Sequence, residues 1–216
     1  MHKKIMASGY LKFYVIVNIY ISNKFNQLMV VKSNKQEKTE KKSEIGIVKA
    51  TFTGESIYSN KKEAFTLLSQ SRFGEQREGK VIYSLAEALF LVEKGKMQVL
   101  EKKKKISFDS LMEKAKEQDS RFTTKYAVFK DMRNRGYVVK TALKFGAEFR
   151  VYDKGKFPGE EHARWILYPV KESNVLTWHD FSAKNRVAHS TKKNLLIGIV
   201  DDEGDVTYYV CQWLKP

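Results

Sequence analysis

Apolar and polar positions repeat with two different periods along this chain, and the changes of period mark out its elements. Ile45, Ile47 and Val48 lead into Thr51-Phe52-Thr53 as a strand-like run that stops at Gly54. Leu85, Leu89 and Val92 then share one helical stripe over residues 85–94. Ser84 and Glu87 open that helix as a capping box, and Gly95 closes it. A short strand over 97–100 and a solvated turn over 102–105 follow. Ser107 caps the next helix, with Phe108, Leu111, Met112 and Ala115 directed inward. Polarity rises at Glu117-Gln118-Asp119, and a further helix carries Phe122, Tyr126, Phe129 and Arg133 three or four positions apart as far as Gly136. From there the pattern is strand-like at 137–141, 147–152, 163–170, 194–200 and 205–213, with a helical interval between Leu176 and Thr191.

The fold class expected is α+β. A small N-terminal α/β domain spans 45–118, and a C-terminal domain built on a mixed sheet with flanking helices spans 119–216. Residues 1–44 stand apart. Their first part resembles a secretory signal, but Lys12 and Asn18 interrupt the apolar run, Ser22-Asn23-Lys24 is a poor cleavage site, and the run falls short of the ~20 residues of a membrane span. Met29 as the true initiator is the preferred explanation. The stretch 32–44 is charged, lacks aromatic residues, and is expected to be a disordered tether.

Charge changes the picture of partners. Forty Lys and Arg against 25 Asp and Glu give a net +15, which favours a polyanion such as nucleic acid. Residues 1–50 hold +7 of that excess, leaving +8 on the rest. The lysines at 102–105 read as a soluble surface before they read as an RNA contact. One cysteine, Cys211, excludes an intrachain disulfide and any zinc site made of several cysteines, which suits a reducing cytoplasm. The four histidines show no metal-binding spacing, so neither a metal nor another cofactor is expected.

Candidate chemistry gathers in the C-terminal half. Alternation in AEFRVYDKG puts Phe149 and Val151 on one face and Arg150 and Tyr152 on the other, so Tyr152 faces outward if the apolar pair faces the core. His162 follows a Gly/Pro/Glu loop, and residue type alone does not separate it from His189. Lys192 and Lys193 precede the apolar strand Leu195-Leu196-Ile197. Taken singly, these are ordinary surface residues. Together they supply a weak base, an acid and a cation, a set suited to RNA cleavage without a metal.

Three segments in order resemble the archaeal tRNA-splicing endonucleases: KDMRNRGYVVKTALKFGAEFRVY at 130–152, the EH at 161–162, and RVAHSTKKNLLIGIVDDEGDVTYY at 186–209. YSLAEALFLVEKGKMQVL at 83–100 resembles the family's N-terminal domain more weakly, and 1–44 has no counterpart. The resemblance implies that the C-terminal domain is a nuclease cutting precursor tRNA at a bulge-helix-bulge, leaving 2′,3′-cyclic phosphate and 5′-hydroxyl ends. It places the catalytic tyrosine on Tyr152, the histidine on His162 and the lysine on Lys193, which a one-residue shift would exchange for Lys192. Tyr152 as base would need its usual value of ~10 lowered by nearby cations. A base-stacking arginine falls on Arg186, while no arginine near Tyr208 and Tyr209 matches its partner.

The acidic run Asp201, Asp202, Glu203 and Asp205 around Gly204 reads as a hairpin turn. The resemblance adds a docking role for it, in a homotetramer or in two copies paired with two noncatalytic subunits. Apolar residues on both faces of 206–213 suit pairing with another subunit. The alternative function is a structural RNA-binding subunit whose partner supplies the chemistry. A metal-dependent nuclease is disfavoured, because Glu148 and Asp153 fall on opposite strand faces.

Overall fold

A computed structural model describes residues 46–54, 56–143 and 146–212. The leader, the expected tether, Ile45 and Trp213 lie outside the described residues. The N-terminal unit begins with β1 (Val48–Phe52), where Val48, Ala50 and Phe52 are buried and the residues between them are exposed. It continues through β2 (Ile57–Ser59), α1 (Lys62–Ser71), β3 (Glu75–Arg77), β4 (Lys80–Tyr83), α2 (Leu85–Glu93), β5 (Met97–Glu101), β6 (Lys104–Lys105) and α3 (Phe108–Gln118). Its sheet has the order β3-β4-β2-β1-β5-β6, with β1 and β5 parallel. The capping box is present: Glu87 N–H donates to Ser84 Oγ at 3.3 Å, and the Glu87 carboxylate accepts from Ser84 N–H at 3.0 Å. Lys102 and Lys103, at φ 47° and 69°, form the tip of the β5–β6 hairpin.

The C-terminal unit comprises α4 (Phe122–Asn134), β7 (Val138–Ala142), β8 (Ala147–Tyr152), β9 (Trp165–Lys171), α5 (Trp178–Ser190), β10 (Asn194–Val200) and β11 (Val206–Cys211). The sheet order is β11-β10-β9-β8-β7. Only β9 and β10 are parallel, and α5 is the crossover that joins them. A capping box starts α5, with Thr177 Oγ1 accepting from Asp180 N–H at 3.1 Å. Pro169 is tolerated in the central strand β9 because pairing with β8 extends only to Leu167.

Helices cover both faces of this sheet. On one, α4 packs Phe129 and Val128 against the side that carries Phe149, Val151, Leu167 and Leu196. On the other, Ala188 and Phe181 of α5 meet Ile166, Leu195 and Ile197. Where α4 crosses β10 the strand has Gly198, at which a Cβ would lie 3.1 Å from a Val128 methyl and 3.2 Å from Tyr208. The glycine lets the helix sit close.

The core runs through both units without a break. Phe90 of α2 meets Phe129 of α4 edge-on at 6.1 Å, and Phe129 meets Phe149 of β8 at 5.8 Å. Beside this aromatic line, Lys140 of β7 and Glu87 of α2 form an ion pair at 2.8 Å, each residue only 5 % exposed. Among the described residues no helix is long and apolar enough to cross a membrane.

Candidate active site

Two backbone hydrogen bonds define where the chemistry-bearing residues meet. Arg164 N–H donates to Val151 C=O at 2.9 Å, and Asn194 N–H donates to Arg164 C=O at 3.1 Å. The ladders agree, with Val151 opposite Trp165 and Asn194 opposite the same Trp165. The end of β8 and the starts of β9 and β10 therefore lie side by side at one end of the sheet. One residue further along, Tyr152 and Lys193 flank Arg164 from the two neighbouring strands. At about 4.8 Å per strand their backbones are about 10 Å apart. By alternation all three belong to the α5 face, opposite the side occupied by Phe149 and Val151.

Tyr152 shares that face with Arg150, as expected, but it does not face solvent. Only 4 % of it is exposed, and it packs with Val138, Ala163 and Phe157. Residues 153–163 fold back over this corner of the sheet and enclose the ring. Burial pushes its phenol pKa up, Arg150 pulls it partly back, and Glu75 of β3 pushes it up further. The lowering by cations expected from sequence is thus outweighed by desolvation. The Arg150 guanidinium lies 6.0 Å from the ring and 3.6 Å from the Glu75 carboxylate.

His162 is carried by the same covering loop. Phe157 C=O accepts from Glu160 N–H at 3.2 Å and from Glu161 N–H at 3.0 Å, and Lys156 pairs with Glu161. The loop is thus folded on itself. His162 is exposed and is followed at once by the buried Ala163.

The Lys192–Lys193 pair is divided by the end of α5. Lys193 N–H donates to Ala188 C=O at 2.9 Å and Lys192 N–H to His189 C=O at 3.0 Å, while Lys192 has φ 54°. These are the two bonds and the left-handed residue of a Schellman motif. Lys192 terminates the helix, and Lys193 leads into β10 with its Nζ donating to Thr191 C=O at 2.8 Å. Both line a cleft of about 440 Å³ together with Arg164, His189, Asn185 and Cys211. Three basic side chains around one cleft favour an anion.

Sequence reading passed over Arg164, whose position between Tyr152 and Lys193 depends on strand register. Its Nη1 donates to Asp153 at 2.6 Å and its guanidinium lies 4.6 Å from the Trp165 ring. His189, not separable from His162 by residue type, lines the cleft from the last turn of α5. Arg186 sits exposed one turn earlier, its Nε donating to Ser182 C=O at 3.5 Å. The acidic turn lies at the opposite end of β10, roughly 20 Å away for a strand of that length. There Asp201 accepts from Asp205 N–H at 2.8 Å, Gly204 has φ 88°, and Asp202 pairs with Lys171 at 3.2 Å.

Comparison with known proteins covers both units. Residues 122–208 match the family model described as tRNA intron endonuclease, catalytic C-terminal domain, and residues 48–112 match tRNA intron endonuclease, N-terminal domain. The chain is similar to the tRNA-splicing endonuclease of Pyrococcus horikoshii, with 43% identity over 165 residues that span 76% of this chain and 95% of the relative. Against the tRNA-splicing endonuclease of Pyrococcus furiosus the identity is 39% over 170 residues, 78% of this chain and 98% of the relative. Against that of Nanoarchaeum equitans it is 44% over 138 residues, 61% of this chain and 88% of the relative.

Proposed function

The chain belongs to the tRNA intron endonuclease family, and from that premise we propose that it is a catalytic endoribonuclease, working in the cytoplasm, that cuts precursor tRNA at the bulges of a bulge-helix-bulge. The observation that carries this reading is the meeting of the ends of β8, β9 and β10, which brings Tyr152, Lys193 and the loop bearing His162 to one end of one sheet.

The reaction is transesterification within the RNA strand. The 2′-oxygen attacks the adjacent phosphorus, the bond from phosphorus to the 5′-oxygen breaks, and a 2′,3′-cyclic phosphate and a 5′-hydroxyl result. Tyr152 takes the 2′-hydroxyl proton. His162 gives a proton to the leaving 5′-oxygen, and Lys193 offsets the charge that builds on the phosphorane. A phenol is already mostly protonated at neutral pH, and burial lowers the phenolate fraction of Tyr152 further, so base catalysis draws on a small fraction that Arg150 partly restores. General acid–base help is typically ~10²–10⁴-fold, so a large share of the acceleration falls to the bulge itself, which holds the attacking oxygen in line. A continuous A-form helix does not offer that alignment, and unstacked nucleotides are what proteins read in RNA. Arg186, exposed on α5, would stack on a displaced bulge base.

Two cuts in one substrate call for two sites at a fixed separation. In this reading the chain works as a homotetramer, or as two copies with two noncatalytic subunits. The exposed acidic turn and the edge strand β11, with Tyr209 and Val210 open to solvent, support such assembly. The test is incubation of the purified protein alone, in EDTA, with labelled bulge-helix-bulge precursor tRNA. Two cuts ending in cyclic phosphates are expected. Binding without cleavage would exclude the homotetramer and call for a partner subunit, and cleavage only with added metal would refute the mechanism.

A further inference from the structure

The N-terminal unit sends one short stretch of chain to the corner where Tyr152 is enclosed. It is residues 71–75, from the last residue of α1 to the first of β3, and groups of the C-terminal unit hold it at two points. Arg133 of α4 donates to Ser71 C=O at 2.9 Å and lies 3.7 Å from the Phe73 ring. Lys140 of β7 donates to Gly74 C=O at 2.6 Å, while Gly74 N–H donates to Glu87 at 2.9 Å. Gly74 has φ 77° and a Cβ there would come within 2.5 Å of Val81, so only glycine fits. The stretch is thus fixed to the same strand and helix that support the catalytic sheet.

Two side chains reach forward from this fixed stretch. Arg72 extends to the covering loop, where its Nη2 donates to Glu160 at 2.9 Å and its guanidinium stacks 4.7 Å from the Phe157 ring. Phe157 in turn packs against the cluster of Val138, Tyr152 and Ala163, next to His162. Glu75 reaches Arg150, the cation nearest the Tyr152 ring. The backbone at Arg72 is informative in its own right. As the C-cap of α1 it has φ 57° and ψ 30°, a left-handed conformation in which glycine is the usual residue and a Cβ is a penalty.

We propose that residues 71–75 form a brace by which the N-terminal unit seats the loop bearing His162, and that Arg72 is a positioning residue for the cleavage step. The proposal rests on the reading of His162 as the acid given above. Without Arg72 the loop loses its one anchor of both charge and stacking to the N-terminal unit among the described residues, and the imidazole is held less well against the leaving oxygen. Small displacements of a catalytic group are expensive, about 10²-fold for about 1 Å. RNA affinity should depend on Arg72 far less, because this side chain is engaged by Glu160 and Phe157 and the phosphate and base contacts proposed above are Lys193 and Arg186.

The test is a cycle of Arg72→Gly and His162→Ala, read by single-turnover cleavage of a bulge-helix-bulge precursor. Glycine removes the side chain and relieves the left-handed backbone together, so the thermal midpoint should stay within a few degrees of wild type. Arg72→Gly is expected to lower the cleavage rate at saturating protein about tenfold to 10²-fold with the half-saturating concentration little changed. Arg72→Lys, which can still pair with Glu160, should recover part of that rate. His162→Ala alone should lose orders of magnitude, and adding Arg72→Gly to it should cost nothing more. Full-rate cleavage by Arg72→Gly beside an inactive His162→Ala would overturn the brace alone, as would a full further loss in the double variant. Full-rate cleavage by His162→Ala would instead overturn the role given to His162. If Arg72→Gly fails to fold, Glu160→Gln breaks the same pair from the exposed loop side and takes its place in the cycle with the same outcomes.

Discussion

Removing the ammonium of Lys140 should be the most destabilising single change at the junction of the two units. Lys140 and Glu87 are each 5 % exposed, and Lys140 Nζ donates to Glu87 at 2.8 Å and to Gly74 C=O at 2.6 Å. In Lys140→Met the methionine fills most of the volume, but the Glu87 carboxylate stays buried and Gly74 C=O loses a donor. Breaking one side of a buried pair costs about 3–5 kcal/mol. Glu87 keeps three neutral donors, Gly74 N–H, Ser84 N–H and Ser84 Oγ, which points to the lower end of that range. About 3 kcal/mol is a shift of roughly 10²-fold in the folding equilibrium, and at a urea slope of about 3 kcal/mol per molar it moves the midpoint by about 1 M. Urea unfolding followed by far-ultraviolet circular dichroism at one fixed protein concentration reads this directly, since association would add to apparent stability. Lys140→Met combined with Glu87→Gln should cost less than the sum of the two single changes, because the second removes the charge the first leaves unpaired. A midpoint within about 0.2 M of wild type, or strict additivity in the double variant, would refute the pair as the junction's electrostatic anchor.

The adjacent lysines offer a test of register. Lys192→Gly relieves the left-handed residue of the helix terminator and should raise stability by about 0.5–1 kcal/mol with cleavage retained, whereas Lys193→Ala should fold normally and lose about 10²–10³-fold in cleavage. The reverse assignment would appear as loss of cleavage in Lys192→Gly. Acid should destabilise the fold through its paired carboxylates. At Glu93 burial acts upward, but hydrogen bonds from Lys130 and Tyr126 outweigh it, and at Asp119 burial is outweighed by Lys125 and the Arg121 backbone. Both pKa values are lower folded than unfolded, so their stabilisation is complete above the unfolded carboxylate range near ~4 and is lost as pH falls through the folded values. Thermal midpoints measured from pH 7 to 3 should fall, and Lys130→Met should flatten the fall; an unchanged slope in that variant would contradict the assignment. In the acidic turn, Asp202→Asn, Glu203→Gln and Asp205→Asn together should lower the mass measured by light scattering. Asp201 is left intact because its carboxylate closes the turn itself. An unchanged mass would exclude the docking role.

Strand limits were the most legible feature. The alternation over 147–152 and the apolar run over 194–200 give β8 and β10 with the bounds observed, since each is a long unbroken period between turn residues. The capping box at Ser84 was equally readable, being a local motif. Its second use was not: Glu87 also holds Gly74 and Lys140, partners 13 and 53 residues away, which no local pattern encodes. Within 54–83 only the short strands β2 and β4 alternate, over three and four residues, while α1 buries only Ala64 and Leu67 and β3 has no buried residue. At the site, alternation put Tyr152 on the correct face but missed its enclosure. The covering loop, with Gly155, Pro158 and Gly159, has no period, and its seat on the sheet is set by Phe157 and by Arg72 from the other unit. Arg164 was missed for the same reason, because register between β8, β9 and β10 is a tertiary property.

The parallel pairing of β9 and β10 explains why the cleft forms where it does. A parallel neighbour can be reached only by a crossover, here α5, and the crossover must return to the end of the sheet at which β9 began. That return delivers a helix C-terminus to the start of β10, where exposed carbonyls favour basic residues: Lys192 in the terminator, and Lys193 with its Nζ on Thr191 C=O. The antiparallel β8 arrives at the same end with its last residue, so Tyr152 and the loop that leaves it meet the entry to β9. In the proposed mechanism, base, acid and cation are thus gathered by the pairing of β8, β9 and β10. Topology fixes the two ends of the loop, while its middle is seated by Phe157 against Val138 and Tyr152 and by Arg72 from the N-terminal unit. Arg72 contacts that middle, and in the proposed mechanism this lets a residue of the N-terminal unit govern the rate of a step whose chemical groups belong to the C-terminal one.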